Sequence, residues 1–322
     1  MTYRILSLDG GGIRGVIAAR ILIEIERQID QPLNEYFDLI AGTSTGAILA
    51  GAIAIGRKSQ DILNLYRTKG QRIFPYNSRL NLQRLGLVKQ YGLSAPKYSD
   101  QGLIAVLKEE LGHRPLADIG QSPRLLITSY DTIKREPLIF KSWQQYKDTV
   151  KTPLWEACTA SASAPSYFPA HLLQTEERRY SLIDGGVGAN NPSACAVAEA
   201  LRLDYPIKEI SMLSIGTGSS SRSLPWEKVR GWGILQWAWN GRIVEVSFDA
   251  PSDIHNYITR EVMSDPDADG EECSRYLRMQ PEITNDKMDD ASPENIANLE
   301  QIAEDYLARN QHLVKQFLEK SC

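Results

Sequence analysis

The stretch FDLIAGTSTGAILAGAIAI, residues 37–55, joins two apolar segments through a short turn rich in glycine. Residues 37–41 are typical of a buried strand, and residues 47–55 are typical of a buried helix. A Gly-x-Ser-x-Gly turn between a strand and a helix is the context of a nucleophile elbow, in which Gly42 and Gly46 allow a bend that exposes the Ser44 hydroxyl. The stretch therefore predicts Ser44 as a nucleophile. For this motif alone, a plain glycine-rich turn between two elements is the alternative.

The order of the remaining segments extends this unit into an alternating pattern. Strands are predicted at residues 3–8, 124–129, 138–141, 180–183 and 209–215. Helices are predicted at residues 16–28, 59–68, 100–111, 153–163 and from 192 onward, with a long amphipathic helix from 293 toward 320. Residues 71–99 are predicted to form a long irregular surface segment. Strands that alternate with helices indicate an α/β sandwich with a mainly parallel sheet.

Length, composition and charge limit the kind of protein. The chain of 322 residues is 42% hydrophobic and 24% charged, which is enough for a sizeable core, and no linker divides it. A net charge of −4 without a basic block gives no electrostatic footprint for nucleic acid. Because Cys158, Cys195, Cys273 and Cys322 lie far apart, neither a zinc site nor a disulfide framework is expected. Without a signal-peptide pattern or an apolar run of about 20 residues, a cytoplasmic protein is expected.

Three loops are expected to meet at the carboxyl ends of the predicted strands: residues 9–15, 42–46 and 184–186. The first, Asp-Gly-Gly-Gly-Ile-Arg-Gly, formally matches the dinucleotide pattern Gly-x-Gly-x-x-Gly. The acidic residue expected at the end of the second strand of a dinucleotide site is missing, because Glu35 and Asp38 come too early. Consecutive glycine amides also suit an oxyanion that develops on an attacked carbonyl group. A plain glycine-rich turn is the alternative.

The third loop supplies a carboxylate, Asp184, at the end of a short apolar strand. This group could take the proton of Ser44 and return it to the leaving group. Because an unperturbed aspartate has a pKa of about 3.9, the amides and the helix terminus would carry much of the rate enhancement. His171 and His255 are expected to be structural or on the surface, and the early position of Ser44 disfavours a Ser-acid-His triad. An ordinary Asp-Gly turn is the alternative.

In combination, these residues resemble the patatin-like phospholipase family. The Asp-Gly-Gly-Gly-Ile-Arg-Gly loop, the Gly-Thr-Ser-Thr-Gly elbow and the Asp-Gly-Gly loop stand in the order and approximate spacing of that family. Similar segments at residues 162–169, 232–235, 276–280 and 288–291 extend the resemblance over nearly the whole chain. The resemblance implies a three-layer α/β/α sandwich in a single domain, 1–322. Its catalytic core is expected at about 3–218, with a mostly helical part, 219–322, packed on it.

The resemblance also implies a lipid acyl hydrolase with a Ser-Asp dyad and no metal or other cofactor. By position, Ser44 is the nucleophile and Asp184 is the base. The oxyanion hole is assigned to the glycine loop, namely Gly10, Gly11, Gly12 and Arg14. The remaining motif glycines are Gly15, Gly42, Gly46, Gly185 and Gly186, the last at a place where many members carry alanine.

Contact with membrane lipid is a further hypothesis. Four of the six tryptophans lie within residues 226–239, and tryptophan favours membrane interfaces. This stretch and part of 71–99 are expected to border an acyl-chain entrance, with packing of the rings on the core as the alternative. Arg14 is a candidate either for holding a headgroup phosphate or for pairing with a nearby carboxylate. An acyltransferase or thioesterase with the same elbow, and a nucleotide-binding module, are the alternative functions.

Overall fold

A mainly parallel sheet forms the centre of the fold. The computed structural model describes residues 2–76, 78, 80–220, 223–238, 242–264 and 275–320. The described strands are β1 (Tyr3–Leu8), β2 (Leu39–Thr43), β3 (Arg124–Asp131), β4 (Glu136–Lys141), β5 (His171–Gln174), β6 (Arg179–Asp184), β7 (Ile210–Ile215), β8 (Ser219–Ser220), β9 (Tyr276–Met279) and β10 (Glu282–Ile283). The main sheet has the order β5-β6-β3-β2-β1-β7-β9, with β4 also paired to β3. Strands β3, β2, β1, β7 and β9 are parallel, and β4, β5 and β6 pair antiparallel.

Helices cover both faces of this sheet. The described helices are α1 (Gly15–Ile29), α2 (Leu33–Tyr36), α3 (Thr45–Ala54), α4 (Ser59–Ile73), α5 (Leu85–Tyr91), α6 (Gln101–Leu111), α7 (Leu154–Ser161), α8 (Gly186–Ala189), α9 (Ser193–Arg202), α10 (Trp226–Val229), α11 (Ile234–Ala238), α12 (Arg242–Met263) and α13 (Pro293–Lys320). In β1, Leu6 and Leu8 enter a core with α1, α3, α4, α6, α7 and α13, whereas Tyr3 and Ile5 enter a second core with α9 and Met263 of α12. The predicted α/β sandwich with a mainly parallel sheet is therefore confirmed.

Strand β3 brings the ends of β2 and β6 together. Its residues 126–131 pair with β4 along one edge. On its other edge, residues 124–128 pair with β2 and residues 129–131 pair with β6. Thr43, the last residue of β2, pairs with Thr128, and Asp184, the last residue of β6, pairs with Ser129. The residue after β2 and the last residue of β6 thus meet end to end beside one strand.

Several element boundaries differ from the sequence prediction. Strand β2 begins at Leu39 rather than residue 37, and the carboxylate of Asp38 just before it accepts the Arg4 amide at 2.7 Å. Helix α4 continues past its predicted end to Ile73. Gly70 does not end this helix, because it lies where α4 crosses its neighbours: a Cβ there would be 3.1 Å from Ile13 Cδ1. Residues 71–99 are not wholly irregular, since they include the last turn of α4, a short 3-10 helix (Leu82–Arg84) and α5.

The C-terminal part of the described chain is joined to the rest through α13. This helix starts at Pro293 as predicted, packs along α1 and contributes Leu299, Ala303 and Leu307 to the same core as β1. The single domain over 1–322 stays a prediction, which this shared core supports. Within the described ranges, none of the helices has the length and apolar character that crossing a membrane requires.

Candidate active site

Ser44 occupies a sharp bend between β2 and α3. Its backbone angles, φ 56° and ψ −120°, are unusual for a residue with a side chain and are typical of strain retained at a functional position. The turn is tight because the backbone at its two glycines lies against neighbouring backbone. A Cβ on Gly42 would lie 2.3 Å from the Gly46 carbonyl oxygen, and a Cβ on Gly46 would lie 2.1 Å from the Leu8 carbonyl oxygen. Both positions therefore require glycine for close approach of the backbone.

Asp184 and Ser44 lie in the wall of the same cleft, where the Ser44 hydroxyl favours the charged form of the Asp184 carboxylate. Its Oδ1 atom also accepts the Gly186 amide at 2.7 Å, and the residue is only 2% exposed. Burial raises the pKa of Asp184 to about 7, against the opposing effects of the Ser44 hydroxyl and the Gly186 amide. Asp184 is therefore a much stronger base than the unperturbed aspartate assumed from the sequence.

Ser161, at the end of α7, connects the Ser44 bend to the Asp184 loop. Its Oγ accepts the Ser44 amide at 2.8 Å, and its carbonyl oxygen accepts the Gly185 amide at 3.3 Å. Two residues further on, the Ser163 carbonyl oxygen accepts the Asp184 amide at 3.0 Å. Sequence reasoning missed this connection, because a buried serine at the end of a helix has no distinctive pattern.

The glycine loop presents two free amides to the site. The Gly10 amide donates to the Asn190 carbonyl oxygen at 3.0 Å, and the Arg14 amide donates to the Gly11 carbonyl oxygen at 3.2 Å. The amides of Gly11 and Gly12 donate to no acceptor in the described part of the chain, and both residues line the cleft at Ser44. Gly12 has φ +60°, a conformation that side chains disfavour. Gly10 and Arg14, expected in the oxyanion hole, therefore have their amides engaged elsewhere.

Thr45, which the sequence analysis did not select, adds a third amide. It is the first residue of α3, and its amide likewise has no acceptor among the described residues. In nucleophile elbows the amide after the nucleophile commonly contributes to the oxyanion hole. The start of α3 also directs the positive end of the helix dipole to this point.

A buried ion pair fixes the position of the residue at which the glycine loop begins. Asp9 is buried and binds Arg278 of β9, with Nη1 donating to Oδ1 at 2.8 Å, and Ser252 of α12 donates to its other oxygen at 3.1 Å. Burial raises the pKa of Asp9, while the charge of Arg278 opposes this effect. The C-terminal elements thus fix the start of the loop, a role the sequence did not indicate for Arg278.

The other motif glycines lie at contacts between loops. Cβ atoms at these positions would lie 2.4 Å from Thr45 Oγ1 for Gly15, 2.3 Å from Thr128 Oγ1 for Gly185 and 2.4 Å from the Phe248 ring for Gly186. The Phe248 ring explains why glycine rather than alanine occupies position 186.

A largely apolar cleft opens at Ser44. Ser44, Asp184, Gly11 and Gly12 lie in its wall. The apolar part of the wall comprises Ile48, Ile73, Phe74, Leu103, Ala162, Ala164, Phe168, Phe248 and Met288. The apolar walls suit a hydrocarbon chain. Arg14 does not line this cleft; its side chain faces a neighbouring cavity instead.

No histidine lines the cleft. His171 lies 3.2 Å from Glu156, and His255 Nδ1 lies 2.8 Å from the Asn191 carbonyl oxygen. Among the residues that the structure describes, no three His, Cys, Asp or Glu side chains are grouped to hold a metal ion. Asp184 is the one ionised carboxylate among the described residues of the cleft wall, whose other polar side chains are Ser44, Thr45, Tyr66, Tyr167 and Asn190.

The tryptophan-rich segment was expected either to face an acyl-chain entrance or to pack its rings on the core, and the structure matches each expectation only in part. Trp226 is 64% exposed, whereas Trp232 and Trp237 are half-buried and stack edge to face with centroids 5.0 Å apart. Trp239 lies outside the described residues. Ile234 and Leu235, between them, are 87% and 80% exposed. The exposed apolar surface thus consists of aliphatic side chains and one indole.

The site combines a serine at a strand–helix elbow with a buried aspartate and a glycine loop, all at one edge of a parallel sheet. These features define the class of α/β proteins that have a nucleophile elbow. The model of the patatin-like phospholipase family matches residues 6–196, more than half of the chain. The chain belongs to this family.

Relatives extend this similarity over most of the chain. Patatin-like protein 1 of Arabidopsis thaliana is 31% identical, over 94% of this chain and 81% of its own length. Probable inactive patatin-3-Kuras 1 of Solanum tuberosum is 30% identical, over 95% and 86%. The crystal structure of VipD from Legionella pneumophila aligns with a TM-score of 0.42 and 12% identity, over 95% of this chain and 67% of that one.

Proposed function

We propose that the protein is a lipid acyl hydrolase of the phospholipase A, lysophospholipase or galactolipase type, which cleaves fatty-acyl esters of glycerolipids. The observation that carries this proposal is that Ser44 and Asp184 lie together at the polar side of one apolar cleft. A nucleophile with its own base, beside room for a hydrocarbon chain, suits an ester of a long fatty acid.

In the first half-reaction, Ser44 Oγ attacks the ester carbonyl carbon and its proton passes to Asp184. Negative charge then develops on the carbonyl oxygen, and the amides of Gly11, Gly12 and Thr45 are free to donate to it. When the tetrahedral intermediate collapses, the bond to the leaving alkoxide breaks and Asp184 returns the proton to it. The fatty acid remains as an ester of Ser44.

In the second half-reaction, water attacks the acyl group and Asp184 accepts the proton of that water. Collapse of the second intermediate releases the fatty acid, and the proton returns to the Ser44 oxygen. Asp184 is charged at the start of each half-reaction, and a pKa of about 7 suits a group that both accepts and donates a proton near neutral pH.

Two alternative functions make different demands on the same residues. An acyltransferase or thioesterase would form the same acyl-enzyme, but it would use an alcohol acceptor or a thioester substrate, and a substrate panel distinguishes these reactions. A dinucleotide-binding module would need an acidic residue at the end of β2. Here β2 ends in Thr43 followed by Ser44, which disfavours the nucleotide module.

The test of the proposal combines product detection with covalent labelling. Purified protein should release free fatty acid from phospholipid or galactolipid, detected by mass spectrometry, equally with and without a chelator. A fluorophosphonate probe should label the peptide that contains Ser44, since the serine oxygen displaces fluoride from phosphorus. Absence of fatty-acid release, or labelling at another serine, would contradict the assignment.

The pH dependence of activity should follow Asp184. Because the base must be ionised to accept a proton, kcat/KM should rise about tenfold per pH unit up to a pH of about 7 and then level off. The measurement is kcat/KM on a soluble short-chain ester between pH 5 and 9. A profile that is flat down to pH 5 would mean that Asp184 is not the base or that its pKa is not raised.

We propose that two exposed apolar segments, each continuous in sequence with a wall of the cleft, contact the lipid surface. The first follows Phe74 of the cleft and includes Leu80, Leu82 and Leu93. The second precedes Phe248 of the cleft and includes Trp226, Ile234, Leu235, Ile243 and Val246. Exposed apolar side chains next to an apolar entrance favour transfer of substrate from a membrane without passage through water.

Replacement of Ile234 and Leu235 by aspartate should weaken vesicle binding at least about tenfold, because each buried aliphatic side chain is worth roughly 1.5–3 kcal/mol. The thermal midpoint should change little, since both side chains are exposed. Leu201→Asp, an exposed leucine at the far end of α9, is the matched control. Equal binding by Ile234→Asp/Leu235→Asp and Leu201→Asp in a vesicle sedimentation assay would reject the contact.

A further inference from the structure

Asn190 lies in the wall of the cleft, next to the proposed nucleophile. It follows the last residue of α8, and its backbone carbonyl oxygen accepts the Gly10 amide. A Cβ built on Gly10 would lie 2.3 Å from Asn190 Oδ1 and 3.2 Å from Ser44 Cβ. The Asn190 carboxamide and the Ser44 side chain therefore approach the same face of Gly10.

The side chain of Asn190 has unused hydrogen-bonding capacity. The residue is only 6% exposed, yet its carboxamide has no hydrogen-bond partner among the residues that the structure describes. By contrast, Thr45 and Tyr66 in the same wall form a hydrogen bond with each other. A buried carboxamide without partners is unfavourable, because it has given up its hydrogen bonds to water. The site therefore favours a ligand that offers this carboxamide a donor or an acceptor.

The backbone at position 190 does not require asparagine. Its angles, φ −61° and ψ −37°, are ordinary helical values that alanine also adopts. The bond to the Gly10 amide, 3.0 Å long, uses the backbone carbonyl, which any residue supplies. Asparagine at the end of a helix usually serves a left-handed conformation or a bond from its side chain to the backbone. Asn190 has neither within the described ranges, so its side chain remains available to the reaction.

Two oxygen atoms of the reacting ester need hydrogen-bond partners. The carbonyl oxygen is the first, and the backbone amides left free by the glycine loop and the start of α3 point to it. The second is the oxygen that leaves with the glycerol, whose place the attacking water takes in the second half-reaction. This oxygen lies beside Asp184, because Asp184 gives its proton to the leaving group and later accepts a proton from the water.

Asp184 and Asn190 belong to one short segment that passes beside the elbow. The end of this segment is held there, because the Thr43 hydroxyl donates to the Ala189 carbonyl oxygen at 2.6 Å. The carboxamide is thus carried by the same loop as the proposed base and lies on the Ser44 side of the glycine loop. This placement suits the second oxygen, which has to meet both Asp184 and the acyl carbon on Ser44.

We propose that the Asn190 carboxamide binds the leaving oxygen in the first half-reaction and the attacking water in the second. The inference rests on the proposed function and adds a residue that orients the water. In the second half-reaction the carboxamide oxygen accepts a hydrogen bond from one O–H of the water, and Asp184 takes the proton of the other. The water oxygen bonds to the acyl carbon, the bond to Ser44 breaks, and the proton passes from Asp184 to the Ser44 oxygen.

The experiment separates formation of the acyl-enzyme from its breakdown. A p-nitrophenyl ester of a fatty acid is the substrate, because p-nitrophenolate leaves as a stable anion and needs no hydrogen bond from Asn190. Release of p-nitrophenol in a single turnover, with enzyme in excess, measures acylation. Mass spectrometry of the quenched intact protein then measures the acylated fraction at steady state and the rate at which the acyl group is lost.

The variants are Asn190→Ala and Asn190→Leu, of which the second keeps the shape and volume of the side chain. Asn295→Ala is the matched control. Asn295 is buried to a similar degree and does not line the cleft. Its carboxamide is used within the protein, since it accepts from Asn285 at 2.9 Å and donates to the Asp290 carbonyl oxygen at 2.8 Å.

Both Asn190 variants should release p-nitrophenol in a single turnover within about threefold of the wild-type rate. Loss of the acyl group should slow by about tenfold or more, the effect of one lost hydrogen bond in the transition state, and the acylated fraction should rise. Asn295→Ala should match wild type in both respects. The thermal midpoints of the Asn190 variants should stay within several degrees of wild type, because the side chain has no partner among the described residues.

Three results would overturn the inference. Equal slowing of p-nitrophenol release and of acyl-group loss would place Asn190 at the carbonyl oxygen instead. Unchanged rates for both steps would show that Asn190 does not contact the reacting atoms. A midpoint far below wild type in both Asn190 variants would assign the side chain to the fold. If wild type itself releases no p-nitrophenol, the result counts against the hydrolase assignment.

Discussion

Ser44→Ala should lower kcat on lipid and on short-chain ester by about 10⁴-fold or more, as loss of a nucleophile does in other serine enzymes. The change removes the hydroxyl that lies with Asp184 in the wall of the cleft. It leaves the bend intact, because alanine has the same backbone demands as serine and the Ser44 amide still donates to Ser161. The thermal midpoint should therefore stay within a few degrees of wild type, and fluorophosphonate labelling should disappear.

Ser163→Ala is the matched control for this experiment. Ser163 is also buried near the site, but its hydroxyl only donates to the Thr159 carbonyl oxygen of the preceding helix, at 2.8 Å. The bond that positions Asp184 uses the Ser163 backbone carbonyl and survives the substitution. Activity of Ser163→Ala should stay within about tenfold of wild type. If Ser44→Ala and Ser163→Ala retain similar activity, Ser44 is not the nucleophile.

Asp184→Asn should abolish activity and yet stabilise the fold. Asparagine keeps the shape but cannot accept the Ser44 proton, so kcat should fall by about 10³-fold or more. Burial has raised the pKa of Asp184 from 3.8 to about 7. Its folded pKa exceeds its unfolded pKa, so the protein loses stability as the pH rises from about 4 to about 7, by roughly 4 kcal/mol in total.

The stability comparison is a melting experiment at two pH values. At pH 8 the full cost of burying the charge applies, and Asp184→Asn should melt several degrees above wild type. At pH 5 most of the Asp184 carboxyls in the folded protein are protonated, and the difference should shrink.

Asp9→Asn provides the opposite case of a buried aspartate. It would deprive Arg278 of its paired carboxylate and should lower the midpoint, since breaking a buried pair costs about 3–5 kcal/mol. If the thermal midpoint of Asp184→Asn at pH 8 were lower than that of wild type, burial of the ionised Asp184 carboxylate would not destabilise the fold.

The sequence predicts those parts of the site that depend on short local motifs. The elbow around Ser44 and the strand before Asp184 each follow from a few neighbouring residues, and their order resembles that of one family. The glycine loop was also recognisable, but not which amides it leaves free. The Gly10 amide donates to the carbonyl oxygen of Asn190, a residue 180 positions away, and the Arg14 side chain lines a different cavity.

The rest of the site depends on contacts between distant segments. Ser161 joins two loops through one hydroxyl and one carbonyl group, and Arg278 reaches Asp9 across 269 positions of the chain. The raised pKa of Asp184 likewise comes from burial, which no short motif encodes. Strands β5, β8, β9 and β10 were missed because short strands at sheet edges carry little periodicity.

Because β2 and β6 meet end to end beside β3, this strand sets the spacing of the proposed catalytic pair, Ser44 and Asp184. Thr43 pairs with Thr128 and Asp184 pairs with Ser129, the next residue of β3. The pairing of both strands with β3 therefore fixes the distance between their ends. A single residue inserted into β3 between these positions would part the two groups by about 3.3 Å, the rise of one strand residue. By contrast, insertions in the intervening surface connections would leave that spacing untouched. Variation in chain length between relatives should therefore accumulate in those connections and spare β3.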